Sequence, residues 1–562
     1  MLSETNVMEK PGPIGWREGL SGPSGPDYYV VHYNFVLDYA ECFYCHLLSA
    51  CEREYIEKIR DLSPEALKLY IRLVNRKGPA FRVGKLHYLE TETRDAAIAE
   101  LSKAGFIETM NGQSDCLDLF TAAELQKWAA AFSAPRNLHK ADLCDWLRAA
   151  PGYAGFLAAL HAAEPVILLK PSCWDFLKFL YFGRLTDNLS DFVVHELGYI
   201  NPEQVDLSQI QARFEGYEQA KECFALHLLY EELRGLEADA LLEWLGKNDL
   251  PRPGFCSETQ YIYDRMIAKA GRMLERAGNL DQAIATYRKS PGFSPCERLI
   301  RILLKQKNHD EARAVYDALD LALYNEEERY VLEELRRKLS KSKITRAYGL
   351  LKEYPETDLS WHENETVEQA ALRHYEMQGW QGVHSENWLW NALFGLGFWD
   401  IIYDAQHGAF HNHLQFAPSN LFTRGFFTAR KEAIERRLEI LHDADQACSF
   451  ITAVYEAKKG KTNPFLGWHP ETLDYITIML ARIPPLALSC VLRQMTDDPG
   501  SWSHGFPDLF LWKEDAYLFA EVKSATDRLQ PQQFNWLTLF RQTGIACAIL
   551  RVAKRDALGR AY

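Results

Sequence analysis

The chain has 562 residues, more than one hydrophobic core normally organises, so we expect several domains. Hydrophobic residues make up 47% and charged residues 25%, the balance of an ordinary globular protein, which excludes a disordered chain. The net charge of −14 argues against nucleic-acid binding without excluding it, because phosphate binding depends on local basic surface.

The sequence carries no sign of membrane insertion or export. It has no run of about 18 apolar residues, and its N-terminus lacks the apolar core of a signal peptide, so we expect an intracellular protein with no membrane partner. The 12 cysteines are scattered, which favours a reducing compartment. Cys42, Cys45 and Cys51 lack a second ligand pair at zinc spacing, and we interpret them as buried helix thiols.

Most of the chain from residue 28 to residue 490 has helical periodicity. Residues 1–54 are a Gly- and Pro-rich lead-in followed by a helix. Residues 55–115 hold helices joined by a basic connection, a pattern compatible with a winged-helix-like module in which Arg76 and Lys77 contact DNA. A solvated helical hairpin would give the same pattern.

Residues 116–150 form a small helix–turn–helix unit that resembles SAP modules. Its second helix begins near His139, and Arg136, His139 and Lys140 are the candidate contacts to the DNA backbone. The alternative is a basic helix start within an ordinary bundle.

A weak internal repeat follows a helical connector at 151–255. Within the region 256–370, Asn279, Ala283 and Tyr287 recur 29 positions later as Asn308, Ala312 and Tyr316. A small Ala at a close-packing position with a Tyr one turn later is typical of stacked tetratricopeptide-like helix pairs, which act as scaffold or as a protein-binding surface.

A basic run follows the repeat, with six cations in eleven positions. A solvated helix face is the ordinary interpretation of such a run, and a phosphate-binding track is the alternative. Its members are Arg336, Arg337, Lys338, Lys341, Lys343 and Arg346.

From residue 505 the pattern changes to strand. A first strand follows Pro507-Asp508, Lys513 to Asp515 form a polar turn, and a second strand ends in Glu521-Val522-Lys523. Glu521 and Lys523 alternate onto the same face, and the hairpin brings Asp508 near it. Two carboxylates and the Val522 carbonyl can bind Mg²⁺ or Mn²⁺, while a lysine orients water or neutralises charge. A solvated sheet edge is the competing interpretation.

This segment resembles the VRR-NUC branch of the PD-(D/E)xK nucleases, and the chain resembles a Fanconi-associated nuclease. The resemblance is specific in the C-terminal 190 residues and extends to HYEMQGWQGVHSENWLWNALFGLGFWDIIYD and FFTARKEAIERRLEILHDA. It implies a mostly α, multidomain chain of winged-helix/SAP-like and tetratricopeptide-like regions, ending in an α/β nuclease domain at 371–562.

Site residues are implied by the same resemblance. Glu386 matches a helix-borne metal ligand of the family, Asp508 its PD element, and Glu521 and Lys523 its ExK element. Gln533 matches a glutamine on the next helix, where a phosphate or water contact is expected. No Cys/His set fits the ubiquitin-binding zinc finger of the animal members, which favours a bacterial or compact member.

The implied function is structure-specific cleavage near 5′ flaps, with 5′-to-3′ exonuclease activity, in interstrand-crosslink repair. One or two Mg²⁺ or Mn²⁺ ions would be the cofactor, and branched or flapped duplex DNA the partner, in the nucleoid or the nucleus. A Holliday-junction resolvase of the same superfamily and a non-catalytic adaptor are the alternatives.

Overall fold

The computed structural model describes residues 27–554, apart from 88–90, 131–137, 187–188, 197–200, 204, 206–210, 238–239, 249, 251–253, 255–256, 322–323, 341–345, 360–364, 408, 413, 424 and 525. The chain divides into two compact units, one formed by 1–199 with 212–220 and the other by 200–211 with 221–562. No helix in the described part of the chain is both long and apolar enough to cross a bilayer.

The first unit is helical, with one small sheet. Strand β3 (Val166–Leu169) lies between β1 (Ala80–Arg82) and β2 (Ile107–Thr109), antiparallel to both. The helices are α1 (Tyr28–Tyr44), α2 (Ala50–Arg60), α3 (Pro64–Val74), α4 (Thr91–Ala104), α5 (Ala122–Ala129), α6 (Lys140–Ala149), α7 (Tyr153–Ala163), α8 (Trp174–Phe182) and α9 (Ser190–Glu196).

Local capping accounts for several of these helix starts. Ser49 and Thr121 each form a capping box with a glutamate three residues on, and Ser63 precedes a proline at the first helical position. The expectation for the cysteines is wrong, because Cys42, Cys45 and Cys51 are exposed.

The second unit begins with stacked helices. They are α10 (Tyr217–Gly235), which starts in the first unit, α11 (Leu241–Lys247), α12 (Ser257–Arg276), α13 (Leu280–Tyr287), α14 (Phe293–Lys305), α15 (His309–Asp317), α16 (Glu326–Leu339) and α17 (Arg346–Lys352).

The repeat residues have equivalent places in successive helix pairs. Asn279 and Asn308 are the N-caps of α13 and α15. Ala283 and Ala312 are fully buried. At Gly271 of α12, an added Cβ would lie 2.2 Å from the Tyr287 ring, so the first pair packs too closely for any larger residue there. The repeat is therefore a packing unit, as its spacing indicates.

A five-stranded mixed sheet forms the C-terminal part of this unit, in the order β4 (Glu356–Leu359), β8 (Cys547–Lys554), β7 (Ala516–Ser524), β6 (Leu509–Lys513), β5 (Gln381–His384). Strands β4, β8 and β7 are parallel, while β6 is antiparallel to β7 and to β5. The helices are α18 (Val367–Glu376), α19 (Leu389–Gly397), α20 (Trp399–Ile402), α21 (Gly425–Leu441), α22 (Ala444–Lys458), α23 (Thr472–Arg482), α24 (Pro485–Asp497), α25 (Pro499–Trp502) and α26 (Pro531–Thr543).

Both faces of the sheet are covered. Phe510 and Phe519 pack into the aromatic core with Trp390 of α19 and Trp536 of α26. On the other face, small and branched side chains such as Ala520 pack with α18. This double burial explains why strands β6 and β7 are almost continuously apolar.

Two details differ from the sequence prediction. The stretch from residue 28 to residue 490 is not helical throughout, since β1 to β5 lie within it, and β5 lies in a segment that we interpreted as helix. The hairpin turn has two residues rather than three, because Lys513 pairs with Ala516. Glu514 supplies the left-handed conformation that the short turn needs, with φ 52°.

Candidate functional site

Asp508 lies immediately before β6 and is 7% exposed. Its Oδ2 accepts a hydrogen bond of 2.6 Å from the backbone N–H of Val522 on β7. Its own carbonyl accepts a 2.7 Å hydrogen bond from the N–H of Ser385, just beyond β5. These two bonds fix the carboxylate where the ends of three strands meet.

Glu521 and Lys523 point to the same face of β7, as strand alternation predicts. Glu521 is fully buried, and the Lys523 Nζ lies 2.7 Å from its Oε1. Among the described residues Lys523 is the charged partner of Glu521, and the carboxylate oxygens have no other hydrogen-bond donor. A fully buried carboxylate with a single ammonium partner is still costly to ionise, and a bound divalent cation would offset that cost.

Glu386 lies in the turn between β5 and α19, so the expectation that it is borne by a helix is wrong. Asn387, next to it, adopts a left-handed conformation with φ 57°, and its Oδ1 accepts a 2.7 Å hydrogen bond from the N–H of Gly505. The turn is thereby tied to the loop that leads to Asp508.

Potential metal ligands converge at this point. One ligand atom each from His384, Glu386 and Asp508 lies within 4.8 Å of the others, the one such group of three found among the described residues. His384 Nε2 is 3.9 Å from a carboxylate oxygen of Glu386. A hard divalent cation prefers such oxygen donors, and imidazole adds a ligand suited to transition metals.

Burial and electrostatic repulsion raise the pKa values of the two buried acids of this site. Burial raises the pKa of Asp508 to about 6, opposed by the Val522 hydrogen bond and Lys523 and reinforced by Glu386 and Glu368. Burial and repulsion from Asp508 raise the pKa of Glu521 to about 8, against the attraction of Lys523. A bound divalent cation would reverse both shifts, so the residues present fit a metal site.

Two residues of this site were not predicted from the sequence. His384 ends a strand of only four residues, and Glu368 lies in the first turn of α18. Both are common residue types without a motif of their own. Pairing of β5 with β6, with His384 opposite Leu509, is the relationship that would have located His384.

The basic candidates on the first unit have varied surroundings. Arg76 and Lys77 are exposed in the turn after α3, and Arg76 lies over the Phe81 ring at 5.7 Å. His139 is the exposed N-cap of α6, and the Lys140 ammonium donates to the carbonyl of Asp118 at 2.8 Å. Arg136 lies outside the described residues.

The basic run is partly paired by local acids. Arg336 bonds Glu333, and Arg346 bonds Glu334, while Arg337 is half-buried and Lys338 is exposed. Lys341 and Lys343 lie outside the described residues. Gln533 is the N3 residue of the α26 capping box, where its Oε1 accepts a 3.0 Å bond from the N–H of Gln530.

Two protein-family models match the chain. The VRR-NUC domain matches residues 444–554, which include Asp508, Glu521 and Lys523 but not Glu386. The helix–turn–helix domain described as "FAN1, HTH domain" matches residues 27–108.

Similar proteins cover nearly the whole chain. The Fanconi-associated nuclease 1 homolog of Pseudomonas aeruginosa is 29% identical over 94% of this chain and 96% of its own length. The homolog of Arabidopsis thaliana is 26% identical, over 93% and 67% respectively. A crystal structure of paFAN1 bound to 5′-flap DNA with a 2-nucleotide flap superposes with a TM-score of 0.80 and 27% identity, over 94% of this chain and 98% of that one.

Pro-Asp before one strand and Glu-Val-Lys at the end of the next, with carboxylates converging at the sheet end, define a nuclease domain of the PD-(D/E)xK class. One family model matches residues in the N-terminal half of the chain, the other matches residues in the C-terminal half, and the similar proteins cover nearly all of it. The chain carries a VRR-NUC nuclease domain, is similar over nearly its whole length to Fanconi-associated nucleases, and is a structure-specific DNA nuclease.

Proposed function

We propose that this nuclease cuts duplex DNA near 5′ flaps, degrades DNA 5′ to 3′, and acts in the repair of interstrand crosslinks. The observation that carries the proposal is that Glu386 and Asp508 share one ligand group, with the Glu521–Lys523 pair close enough to interact electrostatically with both, in a fold that superposes on a flap-bound relative. Its place of action is the compartment that holds the genome, the nucleoid or the nucleus.

We propose Mg²⁺ or Mn²⁺ as the cofactor, bound as one or two ions by Glu386, Asp508, Glu521 and the Val522 carbonyl. The Glu521 carboxylate, which is fully buried and has no donor besides Lys523 among the described residues, and the raised pKa values of both acids support this assignment. When bound, the ion lowers the pKa of an attacking water and stabilises charge on the phosphate oxygens. His384 is an additional ligand in this proposal, because its ring nitrogen lies within the carboxylate group.

Lys523 and Val522 position the carboxylates of Glu521 and Asp508. Lys523, 2.7 Å from Glu521, favours the anionic form of that carboxylate and orients a water toward the phosphodiester. The N–H of Val522 fixes the Asp508 carboxylate in one orientation, so the site is organised before substrate arrives.

The helical parts would grip the duplex through its phosphates, which position the strand without reading its sequence. We propose Arg76, Lys77, Arg136, His139 and Lys140 as contacts in the first unit, and Gln533 and the basic run in the second. The exposure of Arg76, Lys77 and His139 is compatible with this role. The tetratricopeptide-like pairs offer an additional surface for a protein partner.

Cleavage of matched labelled substrates tests the proposal. A 5′-flap duplex, a four-way junction and a blunt duplex are compared with Mg²⁺ and with Mn²⁺, using the unaltered chain and Asp508→Ala. We expect the flap to be cut fastest, near the junction, and Asp508→Ala to be inactive.

Three other outcomes would contradict parts of this proposal. Faster cutting of the four-way junction would favour a resolvase. Equal cutting by the variant would remove Asp508 from the chemistry, and no cutting of any substrate by the unaltered chain would favour a non-catalytic DNA-binding role.

A further inference from the structure

A cavity of about 360 Å³ opens beside the carboxylate group in the second unit. Its lining includes His384, Trp388, Trp468, His469, Glu471 and Tyr475. His384 belongs to both places, since its ring also lies within the candidate metal group. The cavity therefore adjoins the candidate metal group, where a scissile phosphate would bind.

The aromatic rings of this cavity are held by hydrogen bonds to the protein. The indole N–H of Trp388 donates to the carbonyl of His384 at 2.8 Å, and that of Trp468 donates to the carbonyl of Lys461 at 2.6 Å. The Tyr475 hydroxyl donates to a carboxylate oxygen of Glu471 at 3.3 Å. Because these polar edges already have partners, the rings offer their apolar faces to a ligand.

Trp388 lies between two other rings that line the cavity, those of His469 and Tyr475. Its ring centroid lies 6.0 Å from that of His469 and 5.9 Å from that of Tyr475. The interplanar angles of 36° and 67° show that these rings do not stack face to face with one another. Trp388 is half-buried and His469 is exposed, so a flat ligand has access to them.

The chemistry of the lining selects the kind of ligand. Among the residues that the structure describes, the lining has a carboxylate, Glu471, and no lysine or arginine, so it disfavours a phosphate. Flat rings with apolar faces suit a nucleobase, which stacks on aromatic side chains whatever its identity. The volume is within the range of roughly 300–1,000 Å³ that is common for small-ligand sites.

We propose that this cavity takes up the base of an unpaired nucleotide next to the scissile phosphate, stacked on Trp388. The inference rests on the proposed function, because it places the adjoining phosphate at the carboxylate group. A base inside a duplex is stacked and paired and cannot enter at low cost, whereas one at a flap or an opened junction can. The cavity would thus add a preference for DNA with an unpaired nucleotide at the cut.

Base-analogue scanning tests the inference on the full chain. Flap duplexes carry 2-aminopurine at each position flanking the cut, and Ca²⁺ replaces the catalytic metal so that the DNA stays intact. We expect the fluorescence of one position to be quenched on binding by the unaltered chain. Trp388→Leu, which keeps apolar bulk but removes the flat ring, should restore that fluorescence.

Placing an abasic residue at the same position tests the inference by changing only the DNA and not the protein. We expect it to lower kcat/KM for flap cleavage roughly tenfold, the loss of stacking one base on an aromatic side chain. Trp388→Leu and Tyr475→Leu should lower cleavage of the normal flap to a similar extent and have little further effect on the abasic flap. The matched control is Phe416→Leu, which removes an exposed aromatic ring of the same unit and should change neither substrate.

Failure of this inference can be told from failure of the proposed function. If the unaltered chain cuts flaps but no position is quenched, or the variants lose the same factor on abasic DNA, the subsite is overturned and the nuclease stands. If the chain cuts nothing, the proposed function fails, and the Ca²⁺ fluorescence measurement alone supports or overturns the subsite.

Discussion

The backbone N–H of Val522 donates a 2.6 Å hydrogen bond to the carboxylate of Asp508, fourteen residues earlier in the chain. Val522 lies between Glu521 and Lys523, so the bond sets the distance between the two ends of the hairpin motif. The carbonyl of Asp508 also accepts from Ser385, the neighbour of Glu386. One residue thus links the three chain segments from which the site is built.

Replacing Asp508 by Asn separates its charge from its structural role. The amide oxygen can still accept the Val522 hydrogen bond, and burial disfavours the Asp508 charge, so we expect the metal-free variant at pH 8 to unfold at a temperature no lower than that of the unaltered chain. Removing the negative charge should lower flap cleavage by at least about 10²–10³-fold, as is typical when a group that stabilises transition-state charge is removed.

Asp515→Asn is the matched control, because Asp515 lies exposed in the turn of the same hairpin. It should leave both cleavage and unfolding unchanged. Full activity of Asp508→Asn, or equal losses in the two variants, would contradict the assignment.

The metal-free chain should lose stability as the pH rises, through Glu521. A carboxyl whose pKa is about 8 when folded, against about 4.5 in an unfolded chain, binds its proton more tightly in the folded state. Its ionisation therefore disfavours folding increasingly from about pH 4.5 to about pH 8. Asp508, with a pKa of about 6, contributes in the same direction over the lower part of this range.

Glu521→Gln should accordingly unfold at a higher temperature than the unaltered chain at pH 8 in EDTA, with a smaller difference at pH 5. Added Mn²⁺ should raise the unfolding temperature of the unaltered chain at pH 8 and have little effect on the variant. Thermal unfolding followed by circular dichroism measures both. A difference that grows toward acid pH would have the wrong sign for a carboxyl with a raised pKa.

Some parts of this site could be predicted from the sequence and others could not. Glu521 and Lys523 could be placed on one face because alternation along a strand is local, and the Asn, Ala and Tyr repeat could be recognised because each pair packs on its neighbour. The meeting of His384 with Asp508 depends on pairing across more than 120 residues. No local pattern encodes that pairing, since β5 has only four residues and lies among helices.

The left-handed turn that positions Glu386 could not be predicted from the sequence either. It depends on Asn387 at φ 57° and on the N–H of Gly505, 118 positions away. The aromatic cavity combines rings from residues near 388 and near 470 in the same way. Such features follow from tertiary packing, which overrides the helical periodicity of the surrounding sequence.

Direct coordination by His384 can be measured without any cleavage assay. Electron spin echo modulation of Mn²⁺ bound to the full chain should contain the ¹⁴N coupling of a ligated imidazole, because the His384 ring lies within the carboxylate group. His384→Gln should lose that coupling while retaining bound Mn²⁺ through the carboxylates. His469→Gln is the control, since His469 lines the adjoining cavity but is not in the ligand group, and it should retain the coupling. A ¹⁴N signal unchanged by His384→Gln would remove His384 from the metal.

The salt dependence of DNA binding should separate a phosphate-binding track from a solvated helix face in the basic run. Arg336 and Arg346 pair with Glu333 and Glu334, which makes these two arginines weaker candidates for releasing counterions from DNA. In fluorescence-anisotropy titrations of a flap duplex in Ca²⁺, the double change Lys341→Ala/Lys343→Ala should reduce the slope of log K against log salt by roughly one unit for each lost phosphate contact. Lys247→Ala is the matched control, because Lys247 is exposed and pairs with Glu243 at 2.6 Å. It should leave the slope unchanged, and the same result for the double variant would mean that these lysines are only a solvated surface.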